Sequence, residues 1–410
     1  MTRTPFDQVL QRLGTDSIKW DKAALALGSS ADGALPDQSG SNLLLPLSLA
    51  DMDFQTAPVV VAALEARIRH GVFGYTFAGD AYFEAITRWL QRRHAWNVDR
   101  DWIVPGTGAV PAINLAIQML TEPGDAVIVQ PPVFHPFAQS VANNGRRVVL
   151  NPLRQEAGRY DFDLDDLQRK AQDSRARMLI LCSPHNPVGR VWSVGELREL
   201  VRVCDAHDML IVCDEVHCDL TYPWSRFTTL AAAAPECLAR LIHCHGPSKT
   251  FNLVGLKAST TIIPNPKLRE RFVLGLRNLN ELFGVGTLAT HALRAAYDEG
   301  EDWLAQLMSY LEGNMLTLRD YLQVELPQWR MTVPDATYLA WIDCREMGVA
   351  SSVLKRHLAE HARVVLEDGA MYGAGGDGFL RLNVACPRVT LESALNRIRD
   401  ALRQRPLQAS

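Results

Sequence analysis

Between residues 126 and 263, short apolar runs rich in β-branched residues alternate with amphipathic stretches, and few architectures tolerate that pattern. The runs are Ala126–Gln130, Val148–Leu150, Met178–Cys182, Met209–Cys213, Leu241–Cys244 and Thr260–Ile263. Their apolar positions are continuous rather than alternating, which calls for strands covered on both faces. Between them lie stretches such as Val194–His207, where Leu197, Leu200, Val201 and Cys204 keep the spacing of one helical face. Strand and helix in alternation predict an α/β fold, a large domain built on a mostly parallel sheet. No internal repeat interrupts the pattern.

Past about residue 300 the rhythm changes. A long helix is expected over Trp303–Leu322, then Pro327 and Pro334, a strand at Tyr338–Ile342 and a helix from Ser351 or Ser352. The glycine-rich stretch 373–378 precedes a strand at Phe379–Val384, and Thr390 reads as the N-cap of a last helix with Glu392 in its first turn. This irregular order predicts a smaller α+β domain. The expected division is a large domain over residues 56–288 and a small one made of residues 1–55 with 289–410.

Bulk properties exclude several function classes. Net charge is −4 over 410 residues, with no basic excess to attract nucleic acid. The one basic cluster, Arg88, Arg92, Arg93 and His94, reads as the solvated face of a helix. No run reaches the ~18 apolar residues of a membrane span, and Met1–Phe6 begins no signal-like segment. Eight cysteines lie apart without a Cys-x-x-Cys pair, mostly in apolar runs, so a reducing, cytoplasmic setting is expected. His243-Cys244-His245 invites a metal reading. On a strand, however, residues 243 and 245 share one face and Cys244 the other, and no fourth ligand stands at a recognised spacing. No metal is therefore expected.

The chemistry is carried by polar residues placed just after strands, where open α/β sheets collect ligands. Asp214-Glu215 follows one run, Ser183-Pro184-His185-Asn186-Pro187 another, Gly246-Pro247-Ser248-Lys249 a third, and Pro131-Pro132-Val133-Phe134 a fourth. An acid, an amide, an amine and an aromatic ring are thereby directed to one crevice. Pyridoxal 5′-phosphate needs such a set: an amine for its aldehyde, a carboxylate for its pyridine nitrogen, a donor to its phenolate oxygen and a ring to stack upon. Its phosphate suits the backbone N–H groups of a helix start, which Gly106-Thr107-Gly108-Ala109-Val110-Pro111 offers.

The segments Ser183–Gly189, Asp214-Glu215-Val216-His217, Ser248-Lys249-Thr250-Phe251-Asn252 and Arg381-Leu382-Asn383-Val384-Ala385 occur in the order typical of class I/II aminotransferases. Ala50-Asp51-Met52-Asp53-Phe54, Gly74-Tyr75-Thr76 and Ala385-Cys386-Pro387-Arg388 add detail that resembles the bacterial cystathionine β-lyases, or C–S lyases, of that superfamily. The resemblance runs from about Phe6 to Leu402 and implies the fold type I of pyridoxal-phosphate-dependent transferases. By the same resemblance, Lys249 is the Schiff-base lysine, Asp214 the partner of the pyridinium nitrogen, Asn186 the donor to the phenolate oxygen and Phe134 the stacking ring. Gly108, Ala109 and Ser248 look like phosphate contacts. Tyr75 looks like the tyrosine that reaches the phosphate of a neighbouring subunit, which implies a homodimer. Arg381 looks like the clamp on the substrate α-carboxylate, a task suited to a bidentate guanidinium.

Three positions depart from the aminotransferase or lyase pattern. Phe134 stands where these lyases usually carry tyrosine, keeping the ring but losing a hydroxyl. Lys257 replaces a phosphate-binding arginine, and His217 replaces a tyrosine, as is usual for the lyases. The named residues serve both loss of a thiolate from Cβ and transamination. The resemblance favours a lyase acting on L-cystathionine or related S-substituted cysteines, releasing a thiol, pyruvate and ammonia. An aminotransferase and a pyridoxal-phosphate-binding regulator with little turnover remain as alternatives.

Overall fold

The protein is represented by a computed structural model that describes residues 4–23, 43–280 and 285–407. Its centre is a seven-stranded sheet of β1 (Ile103–Gly106), β2 (Ala126–Val129), β3 (Arg147–Leu150), β4 (Ala176–Cys182), β5 (Leu210–Asp214), β6 (Leu241–His245) and β7 (Ser259–Ile262), in the order β1-β7-β6-β5-β4-β2-β3. The five strands from β6 to β3 are parallel, with Val127 opposite Met178, Leu179 opposite Ile211 and Val212 opposite Ile242. Only β7 runs against its neighbours. The six expected runs are all strands of this sheet; β1, four residues with a proline and a glycine, carries too little pattern to stand out in sequence.

Both faces of the sheet are covered, as the continuous apolar runs require. Val127, Met178, Ile180, Val212 and Ile242 feed one core, while Ile128, Leu179, Leu181, Ile211 and Leu241 feed the other. All of these are essentially inaccessible, and each such side chain contributes about 1.5–3 kcal/mol of burial.

The C-terminal part holds a four-stranded antiparallel sheet, ordered Arg330–Met331, Leu339–Asp343, Phe379–Asn383 and Glu367–Asp368. Leu45–Pro46 pairs in parallel with Val364–Val365 and so joins the N-terminal segment to this part. The long helix spans Glu301–Glu325. The last helix spans Arg388–Gln404 with Pro387 as its N-cap, so Thr390 lies inside the first turn rather than capping it. Proline at that position is compatible with a helix start because the missing N–H would have had no partner there.

Two further expectations shift. The 288/289 division falls inside the helix Thr287–Glu299, which packs against Pro58–His70 and Asp80–His94. The contacts tie this helix to the large part, and we propose Gly300, just before the long helix, as the boundary. The basic cluster is also only half solvated. Arg88 and Arg92 are on the surface, but Arg93 and His94 turn inward to the buried Asp219.

Candidate active site

The carboxyl ends of β4, β5 and β6, adjacent in the sheet, carry the expected acid, amide and amine. Asp214 ends β5. It is buried, its Oδ1 accepts from Val216 N at 3.2 Å, and burial pushes its carboxyl up to about 6. Lys249 follows β6. Burial, aided by the charge of Arg381, pulls its amine down to about 8, and its Nζ donates to the carbonyl of Ala50 at 2.7 Å. An amine so lowered is a better nucleophile near neutral pH than a surface lysine.

Asn186 follows β4 and is joined directly to Arg381. Arg381 Nη1 donates to Asn186 Oδ1 at 3.0 Å, which orients the amide and turns its NH2 into the outward donor. Arg381 comes from the small sheet, so this bond couples the two parts of the molecule. Its Nη2 donates to Ser48 O at 2.9 Å and lies 3.4 Å from Glu367, and the guanidinium sits 5.1 Å from the ring centre of Tyr372. Gly189, at the end of the same 183–189 segment, has φ +70°, and a Cβ there would collide with Pro334. Its carbonyl accepts from the backbone of Asp335 and Ala336, so the glycine permits the close approach of the two parts.

The remaining candidates are placed less uniformly. Phe134 is half-buried after β2, and its backbone N–H donates to Asn186 O at 3.1 Å. Gly108 caps the helix Ala109–Leu120, whose first turn presents backbone N–H groups beyond the end of β1. Ser248 is half-buried beside Lys249. His217 is buried with its Nδ1 unpartnered, and burial holds its ring neutral well below the usual histidine range. Lys257 is exposed in a left-handed conformation, near enough for its charge to bear on Lys249. Tyr75 is 86% exposed in the single chain.

Sequence reasoning passed over what holds the near wall of the site, residues 48–54. Asn383 Nδ2 donates to the carbonyls of Leu49 and Asp51, both at 2.7 Å, and Tyr338 Oη donates to Ala50 O at 3.0 Å. Asn252 accepts from Met52 N and donates to the carbonyls of Met52 and Phe54, each at 3.0 Å. Asp53 is locked by Lys19 and Arg12 at 2.8 Å and by Trp20 at 2.9 Å, which makes it a structural anchor. One signal was present: Arg381 and Asn383 are two apart on one strand and must share a face.

These residues fit pyridoxal 5′-phosphate. The test is in the polar atoms: His217 Nδ1 and Arg381 Nε are buried without a partner, and a buried carboxyl and a lowered amine face the same crevice. Fold and donor set together define an enzyme of the type that works through this cofactor.

The sequence pattern of the aminotransferase class I and II family matches residues 44–398, and the chain belongs to that family. It is 40% identical to the cystathionine beta-lyase PatB of Bacillus subtilis (strain 168), over 97% of this chain and 99% of that one. Among solved structures, cystalysin from Treponema denticola, which contains pyridoxal 5′-phosphate, superposes with a TM-score of 0.92 at 31% identity, covering 97% and 98% of the two chains. The pyridoxal-phosphate-bound C–S lyase from Staphylococcus hominis gives 0.88 at 29%, covering 98% of each. Among the described residues, no helix is long and apolar enough to cross a membrane.

Proposed function

We propose that this protein is a pyridoxal-phosphate-dependent carbon–sulfur β-lyase that cleaves L-cystathionine or a related S-substituted cysteine to a thiol, pyruvate and ammonia. The observation that carries the cofactor reading is the meeting of Lys249, Asp214 and Asn186 at adjacent strand ends, with Arg381 bonded to Asn186. What favours the lyase over a transaminase is the full-length likeness to a cystathionine beta-lyase.

The bound cofactor supplies an electron sink that renders the substrate Cα proton acidic. Asp214 holds the proton at the cofactor's ring nitrogen, and a cationic ring in turn favours the ionised form of this buried acid. Asn186, its oxygen engaged by Arg381, offers N–H to the phenolate oxygen. Arg381 grips the α-carboxylate and so sets the angle of the Cα–H bond. Lys249 would be the base that takes the Cα proton, and its ammonium would then deliver a proton to the departing thiolate. Gly108, Ala109 and Ser248 cradle the phosphate, with Lys257 adding charge from the rim. Phe134 stacks without a hydroxyl, so proton transfer rests on Lys249.

The reading includes a homodimer in which Tyr75 reaches the partner subunit's phosphate site. Val72, Phe73, Tyr75 and Phe77 are 57–86% exposed in the single chain, an apolar stretch of the sort an interface covers. Eight buried free thiols favour a cytoplasmic setting.

One assay tests the reaction. With L-cystathionine and no added keto acid, repeated release of free thiol and pyruvate per active site is expected. Stoichiometric pyridoxamine phosphate without thiol would assign an aminotransferase. Neither product, with cofactor bound, would favour a regulator. Sedimentation that finds an active monomer would remove Tyr75 from the site.

A further inference from the structure

Behind the loops that carry Asp214 and Lys249 lies a second polar cluster, assembled from three separated parts of the chain. His94 ends the helix Asp80–His94, Cys218 and Asp219 follow β5, and His245 ends β6. Cys218, Asp219 and His245 are buried, and the His94 side chain is only 5% exposed. Cys218 Sγ lies 3.6 Å from His245 Nδ1, and His94 Nε2 lies 2.8 Å from Asp219 Oδ1. The nearest donor atoms of His94, Cys218 and Asp219 all fall within 4.8 Å of one another. A cavity of about 410 Å³, lined by these three residues with Thr221, Ser225 and Arg226, connects them to the surface.

We propose that His94, Cys218 and Asp219 form a zinc site whose fourth position is open to water from this cavity, and that it ties the two cofactor-bearing loops together through the Asp219–Thr250 bond. Three protein ligands beside an open cavity are the complement of a zinc site that keeps water in its fourth position. Nitrogen and carboxylate oxygen would stand about 3.3 Å apart, so His94 and Asp219 need to part by roughly half an ångström.

Asp219 is built to present one oxygen. Its Oδ2 accepts from Thr250 Oγ1 at 2.9 Å and Trp89 Nε1 at 3.2 Å, leaving Oδ1 directed at His94, with Arg93 Nε 3.4 Å from it. Such bonds orient a ligand toward a metal. Arg93 is paired on its other side with Glu301 at 2.6 Å. Zinc held by the Asp219 carboxylate and by Cys218 as thiolate, its proton lost to solvent, is matched in charge by these two ligands. Two buried polar atoms here, His245 Nε2 and Tyr297 Oη, have no partner, a deficit that native interiors normally complete with an ion or water. The His-Cys-His run at 243–245 is not this site, since His243 is bonded to Glu215 at 2.8 Å and Cys244 has no part in it.

Thr250 adjoins Lys249, and Cys218 adjoins His217, so the ion would brace both loops from behind. The test uses cofactor-loaded enzyme freed of metal by a chelator and then equilibrated with zinc or cobalt(II). Expected are one zinc per chain retained through gel filtration, a raised melting temperature, and cobalt d–d bands at longer wavelength than the cofactor absorbs. X-ray absorption should show one sulfur in the zinc shell. Cys218→Ser should lose the retained ion. Wild-type enzyme that retains no zinc would overturn the proposal. So would a shell lacking sulfur, or zinc retained unchanged in both Cys218→Ser and His94→Gln.

Discussion

Replacing Arg381 by lysine keeps the positive charge but removes the fork, and the structure sets the size of the effect. The guanidinium is held by Asn186, Ser48 and Glu367 and lies over Tyr372, so its plane is fixed before substrate arrives. A lysine ammonium at this depth can meet one carboxylate oxygen and cannot also orient Asn186. Loss of one charge-assisted hydrogen bond to the substrate costs about 1.5–3 kcal/mol, or roughly ten- to a hundredfold in kcat/KM. Arg381→Ala, which strands the Asn186 oxygen as well, should cost more, about 2–5 kcal/mol. The assay is pyruvate release across a range of substrate concentrations, with cofactor absorbance followed in parallel. KM should rise, kcat should fall less, and the cofactor should remain bound. An analogue lacking the α-carboxylate, an S-substituted cysteamine, should bind wild type and Arg381→Lys alike. If kcat/KM is unchanged in Arg381→Lys, or the analogue is as sensitive as the amino acid, Arg381 does not hold the carboxylate.

Further expectations concern the rest of the site. Lys249→Ala should abolish pyruvate release and the lysine-bound cofactor absorbance; borohydride reduction and peptide mapping that find the cofactor on another lysine would refute the assignment. Asp214 has its carboxyl raised from 3.8 to about 6 by burial, so the folded, cofactor-free protein holds a proton that the unfolded chain has lost. Its stability should therefore fall as pH rises from about 4 to 6, by at most about 3 kcal/mol, and Asp214→Asn should flatten that fall. Parallel urea midpoints for the two cofactor-free proteins across this range would contradict it. Asn383→Ala leaves the carbonyls of Leu49 and Asp51 and the N–H of Ala385 without their partner. A loss of roughly 2–4 kcal/mol in urea unfolding is expected, and a change too small to measure would mean that water replaces the amide.

How much of this could be read from the chain depends on how local each cause is. The parallel strands were legible because a strand buried on both faces must be apolar at nearly every position, and Ala126–Val129 and Met178–Cys182 obey that rule whatever surrounds them. Asp214, Asn186 and Lys249 could be assigned to one crevice because a parallel sheet brings its carboxyl ends to one edge. The start of the last helix was missed by three residues because Pro387 and Thr390 both suit a helix entrance, and only the packed ends decide between them. Arg93 and His94 read as surface because their burial depends on Asp219, more than a hundred residues away. The bond from Arg381 to Asn186, the wall at residues 48–54 and the meeting of Cys218 with His245 likewise join segments remote in sequence. No periodicity encodes a contact between side chains on different elements. That information exists only once both cores have closed around the sheet and fixed where each loop must end.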